Sequence, residues 1–139
     1  MSVDVIPESD VTAQALQRLF ESAFLDCTID ADGDLRVEDA GIITYVILDP
    51  DKKILTLHSQ WGLKESASEF SKLQYANRMN DTLVLVRFYI PKPTTLACDL
   101  QMVYEGGLLP LQLMKTYRRF INVCQGAARM DTEGIFDTN

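Results

Sequence analysis

The sequence is poor in the residues that most often build metal and catalytic sites. It contains one histidine and three cysteines in 139 residues. An odd number of widely spaced cysteines does not form a disulfide framework, so we expect free thiols in a reducing cytoplasm. No cysteine and no second histidine lies at metal-ligand spacing, so we predict no metal site. Nucleotide-binding glycine loops and hydrolase nucleophile motifs are also missing, so we predict a protein without catalytic residues or cofactors.

Long apolar runs and excess positive charge are absent as well. No apolar stretch approaches the roughly 18–20 residues of a membrane helix. The first ten residues have neither the basic nor the apolar region of a signal peptide, so we expect none. There are 13 Lys and Arg against 20 Asp and Glu, for a net charge of −7. This balance disfavours nucleic acid and anionic membranes as partners.

The spacing of the apolar residues predicts three helices and a sheet in the order α-β-β-β(-β)-α-β-β-α. Helical periodicity covers residues 12–24, 66–80 and 110–125. Two-residue alternation covers 27–30, 35–38, 42–48, 54–61, 83–90 and 95–104. Tight turns between the strands favour antiparallel pairing, which gives an α+β fold. We predict one domain over residues 10–130, a flexible N-terminus over 1–9 and a frayed tail over 131–139.

The central helix has two stripes of side chains, and either could face the core. Ser66 is a suitable N-cap, and Phe70 begins a stripe that continues through Leu73, Asn77 and Asn80. We predict that Phe70 and Leu73 enter the core. The two asparagines are expected to close the helix and bond to the backbone of the next loop.

Tyr75 and Met79 lie on the other side of this helix, four residues apart. They would be exposed unless another segment of the chain covers them. The second face of the sheet is a further candidate, because Leu85 and Tyr89 alternate outward there with other apolar side chains. Exposed apolar patches usually mark an interface. We therefore take Tyr75, Met79, Leu85 and Tyr89 as candidate binding or dimer contacts.

Three polar features have plain structural interpretations. The acidic run 30–34 imitates part of a calcium loop, but its strand-like flanks favour a hairpin turn. His58 alternates with polar neighbours, as a solvated residue of a sheet would. Lys115, Arg118 and Arg119 form a basic cluster, either as a solvated helix face or as a contact for an acidic partner.

Several segments together resemble a known bacterial family. They are the run DADGDLRV (30–37), the hairpin LDPDKKILTLHSQW (48–61), the helix end ANRMN (76–80) and the step Glu105-Gly106-Gly107 before the last helix. The chain resembles the YbjN-like family over residues 12–128. Leu109 and Pro110 depart from the family, which more often has a threonine-type cap there.

The resemblance implies a fold similar to type III secretion chaperones, with a sensory or regulatory role and no catalytic residues. Asn77, Asn80 and the Glu105–Gly107 step would then be structural motifs. Together with the acidity and the apolar face, it favours a homodimeric, chaperone-like or regulatory module that binds a polypeptide. The alternative is a sensor that holds a small molecule between the sheet and the helices. The sequence names neither the partner nor the signal.

Overall fold

The computed structural model describes residues 4–138 and contains three α-helices and six β-strands. The helices are α1 (Ala13–Ser22), α2 (Glu69–Thr82) and α3 (Pro110–Ala127). The strands are β1 (Asp26–Ile29), β2 (Leu35–Asp39), β3 (Ile42–Asp49), β4 (Ile54–Gly62), β5 (Arg87–Lys92) and β6 (Thr95–Val103). Their order along the chain confirms the predicted α+β fold with its fourth strand before α2. Among the helices of residues 4–138, none is both long and apolar enough to span a membrane.

All six strands form one antiparallel sheet in the order β1-β2-β3-β4-β6-β5. The side chains of one face are buried beneath the helices, as Val37, Val46 and Leu57 show. From the helix side, Phe20 of α1 and Tyr117 of α3 meet edge to face, with ring centroids 5.1 Å apart. The sheet is therefore covered on one side and open on the other.

The ends of α1 and α3 follow from their sequences. Thr12 caps α1, because its hydroxyl accepts a hydrogen bond from the Ala15 amide at 3.1 Å. Pro110 begins α3 at a position where the missing amide hydrogen has no cost. A glycine near the end of a helical pattern is often its C-cap, but α3 continues through Gly126 and ends at Ala127.

The acidic run after β1 is a hairpin turn, as predicted. One carboxylate oxygen of Asp30 accepts hydrogen bonds from the amides of Asp32 and Asp34 at 2.9 and 3.0 Å. This closes the link between β1 and β2. Within residues 4–138, no group of three or more His, Cys, Asp and Glu side chains could hold a metal ion.

Of the N-terminal segment 1–9, predicted to be flexible, the structure describes residues 4–9, and these contact the domain. Ile6 and Leu108 exchange two backbone hydrogen bonds of 2.8 Å. The Gly106 amide donates to the Glu8 carboxylate at 2.9 Å. Gly107 has a φ of 129°, and a Cβ there would lie 2.6 Å from Val5. The two glycines thus form a turn against which the N-terminal segment packs.

Of the C-terminal tail 131–139, predicted to be frayed, the structure describes residues 131–138, and these also contact the domain. Ile135 and Phe136 are buried, and Phe136 pairs with Leu63 in an isolated bridge. The Asp131 carboxylate accepts hydrogen bonds from both the Ile135 and the Phe136 amides. The tail looks polar in sequence, but its two buried apolar side chains and the Asp131 carboxylate help to hold it on the domain.

Candidate functional site

α2 presents to solvent the face that the sequence predicted to be buried. It begins at Glu69 with Ser68 as its N-cap, two residues later than predicted. Phe70 is 73% exposed and Leu73 is 52% exposed. Tyr75 and Met79, taken from the sequence as surface contacts, are fully buried and are excluded as binding residues.

Segments that are distant in sequence explain this rotation of α2. The Tyr75 hydroxyl donates to the Ala127 carbonyl at 2.7 Å, and its ring meets Phe136 at 5.4 Å. Arg78 forms two hydrogen bonds with the Glu133 carboxylate, at 2.7 and 3.2 Å. The C-terminal tail and the end of α3 thus cover Tyr75, which is the alternative that the sequence left open.

The loop after α2 also exposes large apolar side chains. The predicted strand over 83–90 is wrong in its first half, since β5 begins only at Arg87. Val84 is 66% exposed and Leu85 is 71% exposed. Leu85 has a φ of 70°, which is rare for a bulky side chain. We call Phe70 and Leu73, which lie three residues apart in the first half of α2, the α2 surface.

A groove of about 420 Å³ lies next to this surface, between α2 and the end of β5. Leu73, Ile90 and Pro91 contribute its apolar lining. The Lys72 side chain is buried there, and its ammonium donates to the Pro93 carbonyl. The groove therefore offers apolar space beside Leu73 for a side chain of a bound molecule.

Asn80 closes the outer edge of the sheet beside this groove. Its side-chain amide donates to the Phe88 carbonyl at 2.9 Å and accepts from the Phe88 amide at 2.8 Å. An added strand would form the same pair of bonds with β5. The sequence predicted that Asn80 would bond to the backbone of the next loop; in the structure its side chain bonds to the backbone of β5. Asn77 is exposed.

The open face of the sheet contains a polar cluster that the sequence analysis missed. Asp99 is 6% exposed and receives hydrogen bonds from Arg87 at 2.7 Å and Tyr89 at 3.0 Å. His58 Nδ1 lies 2.5 Å from the other carboxylate oxygen. We call these four residues the Asp99 cluster. His58 is therefore a partner of Asp99 and not the solvated residue that was predicted.

The Asp99 cluster occupies part of the face on which an apolar patch was expected, and Val103, four residues from Asp99 on β6, is still exposed there. Strand register places Tyr45, His58, Asp99 and Arg87 side by side on neighbouring strands. Leu85, by contrast, lies outside β5. The His58–Asp99 pair follows from the register of β4 with β6. That register joins residues 41 positions apart, so the local sequence pattern did not reveal it.

Charge and hydrogen bonding set the pKa values in the cluster. The hydrogen bond with Asp99 raises the pKa of His58, and partial burial opposes that rise. Burial alone would raise the pKa of Asp99, but the hydrogen bonds from His58, Arg87 and Tyr89 outweigh it and lower the pKa. The charged forms of His58 and Asp99 thus stabilise each other in the folded state.

These shifts predict a pH-dependent stability. The stabilisation from His58 is complete below its unfolded pKa and is lost as pH rises through the higher folded value. We expect the free energy of unfolding to fall as pH rises from about 6.5, the ordinary histidine pKa, through the raised pKa of His58 in the folded state. The Asp99 contribution is lost only at acidic pH, as pH falls through its lowered pKa. Urea unfolding of the wild type and of His58→Gln across this range measures the effect.

His58→Gln is a sharp control because the chain has a single histidine. Glutamine retains a hydrogen-bonding side chain but cannot titrate, so the slope of stability against pH should flatten in the variant. Identical slopes in the two proteins would contradict the proposed His58–Asp99 pairing.

The space between the sheet and the helices is filled with side chains. Leu35, Leu57, Leu96 and Phe120 are all fully buried within it. This packing counts against the alternative in which a small molecule is held between the sheet and the helices.

Comparison with known proteins supports the fold at low sequence identity. E. coli YbjN, whose crystal structure is described as that of "a putative transcription regulator", superposes with a TM-score of 0.74 at 9% identity, over 89% of this chain and 94% of that one. The Yersinia pestis type III secretion chaperone SycH, solved with a stable fragment of YscM2, gives 0.57 at 15% identity, over 85% and 98%. No curated protein sequence matches significantly. The model of the family "YbjN: Putative bacterial sensory transduction regulator" matches residues 12–130, so the chain belongs to the YbjN family.

Proposed function

We propose that this chain is a non-catalytic module, chaperone-like or regulatory, that binds a polypeptide through its α2 surface. The observation that carries the proposal is the exposure of Phe70 and Leu73, two large apolar side chains that are 73% and 52% exposed on α2. Exposed groups of large apolar side chains are typical of protein interfaces. SycH, which has a similar fold, was solved with a fragment of another protein, and this supports the proposal.

The chemistry of the surface favours docking by a helix or an apolar segment over addition of a strand. The Phe88 backbone, which an added strand would need, is already bonded to Asn80. Phe70 and Leu73 are three residues apart on α2 and project as neighbouring ridges. Partners that meet such a face do so with apolar residues at helical spacing.

A second copy of the chain is the occupant that we propose for the α2 surface. A two-fold symmetric contact would place Phe70 and Leu73 of one copy against the same residues of the other. The chain would thus be a homodimer in the cytoplasm, a location that we propose on its three free cysteines. The Asp99 cluster remains outside this contact, since its polar groups already satisfy one another.

The solution mass tests the homodimer. We expect twice the chain mass of 15.7 kDa at tens of micromolar, and a single chain mass for Phe70→Glu with Leu73→Glu. Two carboxylates placed in an apolar contact lose hydration without gaining a partner. Sedimentation equilibrium measures the mass, and circular dichroism checks that the variant folds.

Val103→Glu with Leu111→Glu is the matched control, because these side chains are 65% and 67% exposed on other elements. It adds the same charge and should keep the doubled mass. A wild type of single mass, or equal dissociation by both variants, would contradict a dimer through α2.

A further inference from the structure

A second groove, of about 540 Å³, runs along α3 from Lys115 and past its end to Met130, beside Leu83 at the end of α2. Its apolar lining comes from Leu83, Val123 and Met130, each partly buried. Lys115, Arg118 and Arg119 also line it and are exposed. Along α3 the lining is therefore basic towards Lys115 and apolar towards Met130.

The charge of this groove is opposite to that of the protein. The chain has a net charge of −7, yet no Asp or Glu is among the described residues that line the groove. The ion pairs found among residues 4–138 involve Arg36, His58, Arg78 and Arg87, so none uses the three groove cations. These cations are thus available to an external anion.

We propose that this groove binds an acidic amphipathic peptide segment of a partner protein, at a site separate from the α2 surface. Apolar side chains of the segment would cover Leu83, Val123 and Met130. Its carboxylates would face Lys115 and Arg119, which are four residues apart and therefore adjacent on α3. Complementary charge of this kind raises the rate of association and selects the partner.

A peptide fits the groove better than a nucleic acid does. The strongly acidic chain repels polyphosphate at long range, and three cations on one helix are few for a phosphate backbone. The partly buried Leu83, Val123 and Met130 also offer nothing to phosphate groups, whereas a leucine-rich helix face would bury them.

Fluorescence anisotropy with a defined probe tests the proposal. The probe is a labelled synthetic peptide of about four helical turns, with leucine on one face and glutamate on its flanks. A scrambled peptide of the same composition and a single-stranded DNA of similar length serve as comparisons. The wild type should bind the ordered peptide at least about tenfold more tightly than either, and more weakly as salt rises.

Lys115→Glu with Arg119→Glu should weaken binding of the ordered peptide by at least about tenfold. Arg18→Glu with Lys52→Glu makes the same change in net charge at exposed sites elsewhere and should leave binding within about twofold. Phe70→Glu with Leu73→Glu should also retain binding, which separates this groove from the α2 surface.

Any of the following results would overturn the proposal: no binding by the wild type, equal binding of the scrambled peptide, DNA binding as tight as the peptide, or equal loss in the groove and control variants. If only the α2 variant loses the peptide, the site belongs to the α2 surface and the groove proposal fails.

Discussion

Replacing Phe136 with alanine is expected to lower the free energy of unfolding by about 3 to 5 kcal/mol. Phe136 is 6% exposed, and its ring lies 5.4 Å from Tyr75 and 6.0 Å from Trp61. Its loss would leave a cavity beside Tyr75 or release the tail and expose that ring. Urea unfolding followed by tryptophan fluorescence measures the change.

Thr138→Ala is the control for this prediction, because Thr138 is an exposed residue of the same tail. It should change stability by less than about 0.5 kcal/mol. Native-state hydrogen exchange adds a local measurement at the Lys64 amide, which donates to the Ile135 carbonyl at 2.8 Å. A loss below about 1 kcal/mol in Phe136→Ala would show that the tail contributes little packing.

Replacing Asp99 with asparagine is expected to cost about 2 to 4 kcal/mol. The buried carboxylate accepts from Arg87 and Tyr89 and is paired with His58. Asparagine would present one amide donor to a site that is surrounded by donors. Arg87 is 62% exposed at its side chain and can turn to water, which keeps the cost below that of a fully buried pair.

Asp81→Asn is the matched control, since Asp81 is exposed near the end of α2. It should leave stability nearly unchanged. Asp99→Asn should also return the pKa of His58 towards its ordinary value, which NMR titration of the single imidazole measures. An unshifted His58 in the variant would contradict the account of the Asp99 cluster.

Local patterns predicted the elements of the fold well. Alternation over 54–61 places Leu55 and Leu57 on the buried face, and the structure confirms it. The stripe of α3 from Leu113 to Cys124 is confirmed in the same way. These predictions succeed because the period of two or of 3.6 residues is set by each element alone.

The orientation of α2 could not be read from its own sequence. Its buried stripe begins with Lys72 and continues through Tyr75, Ala76 and Met79. A lysine makes this stripe look polar, whereas Phe70 makes the other look apolar. The choice depends on the Pro93 carbonyl, the Ala127 carbonyl and Phe136, all distant in sequence.

The four candidate contacts predicted from the sequence have different environments in the structure, again because of segments distant in sequence. Tyr75 and Met79 became core, Tyr89 joined the Asp99 cluster, and Leu85 stayed on the surface. Each outcome depends on a pairing between segments that only the folded chain brings together. In this domain the C-terminal tail, as well as helix periodicity, decides which side chains of α2 are exposed.

Photo-crosslinking at position 70 tests most directly whether the α2 surface binds a polypeptide. The photoreactive residue p-benzoylphenylalanine would replace Phe70, and in a parallel variant Val103, which is 65% exposed on β6. After irradiation in native cells, we predict adducts heavier than the 15.7 kDa chain at position 70 and none at position 103. A chain that stays at its own mass at position 70, or the same adducts at both positions, would contradict the account.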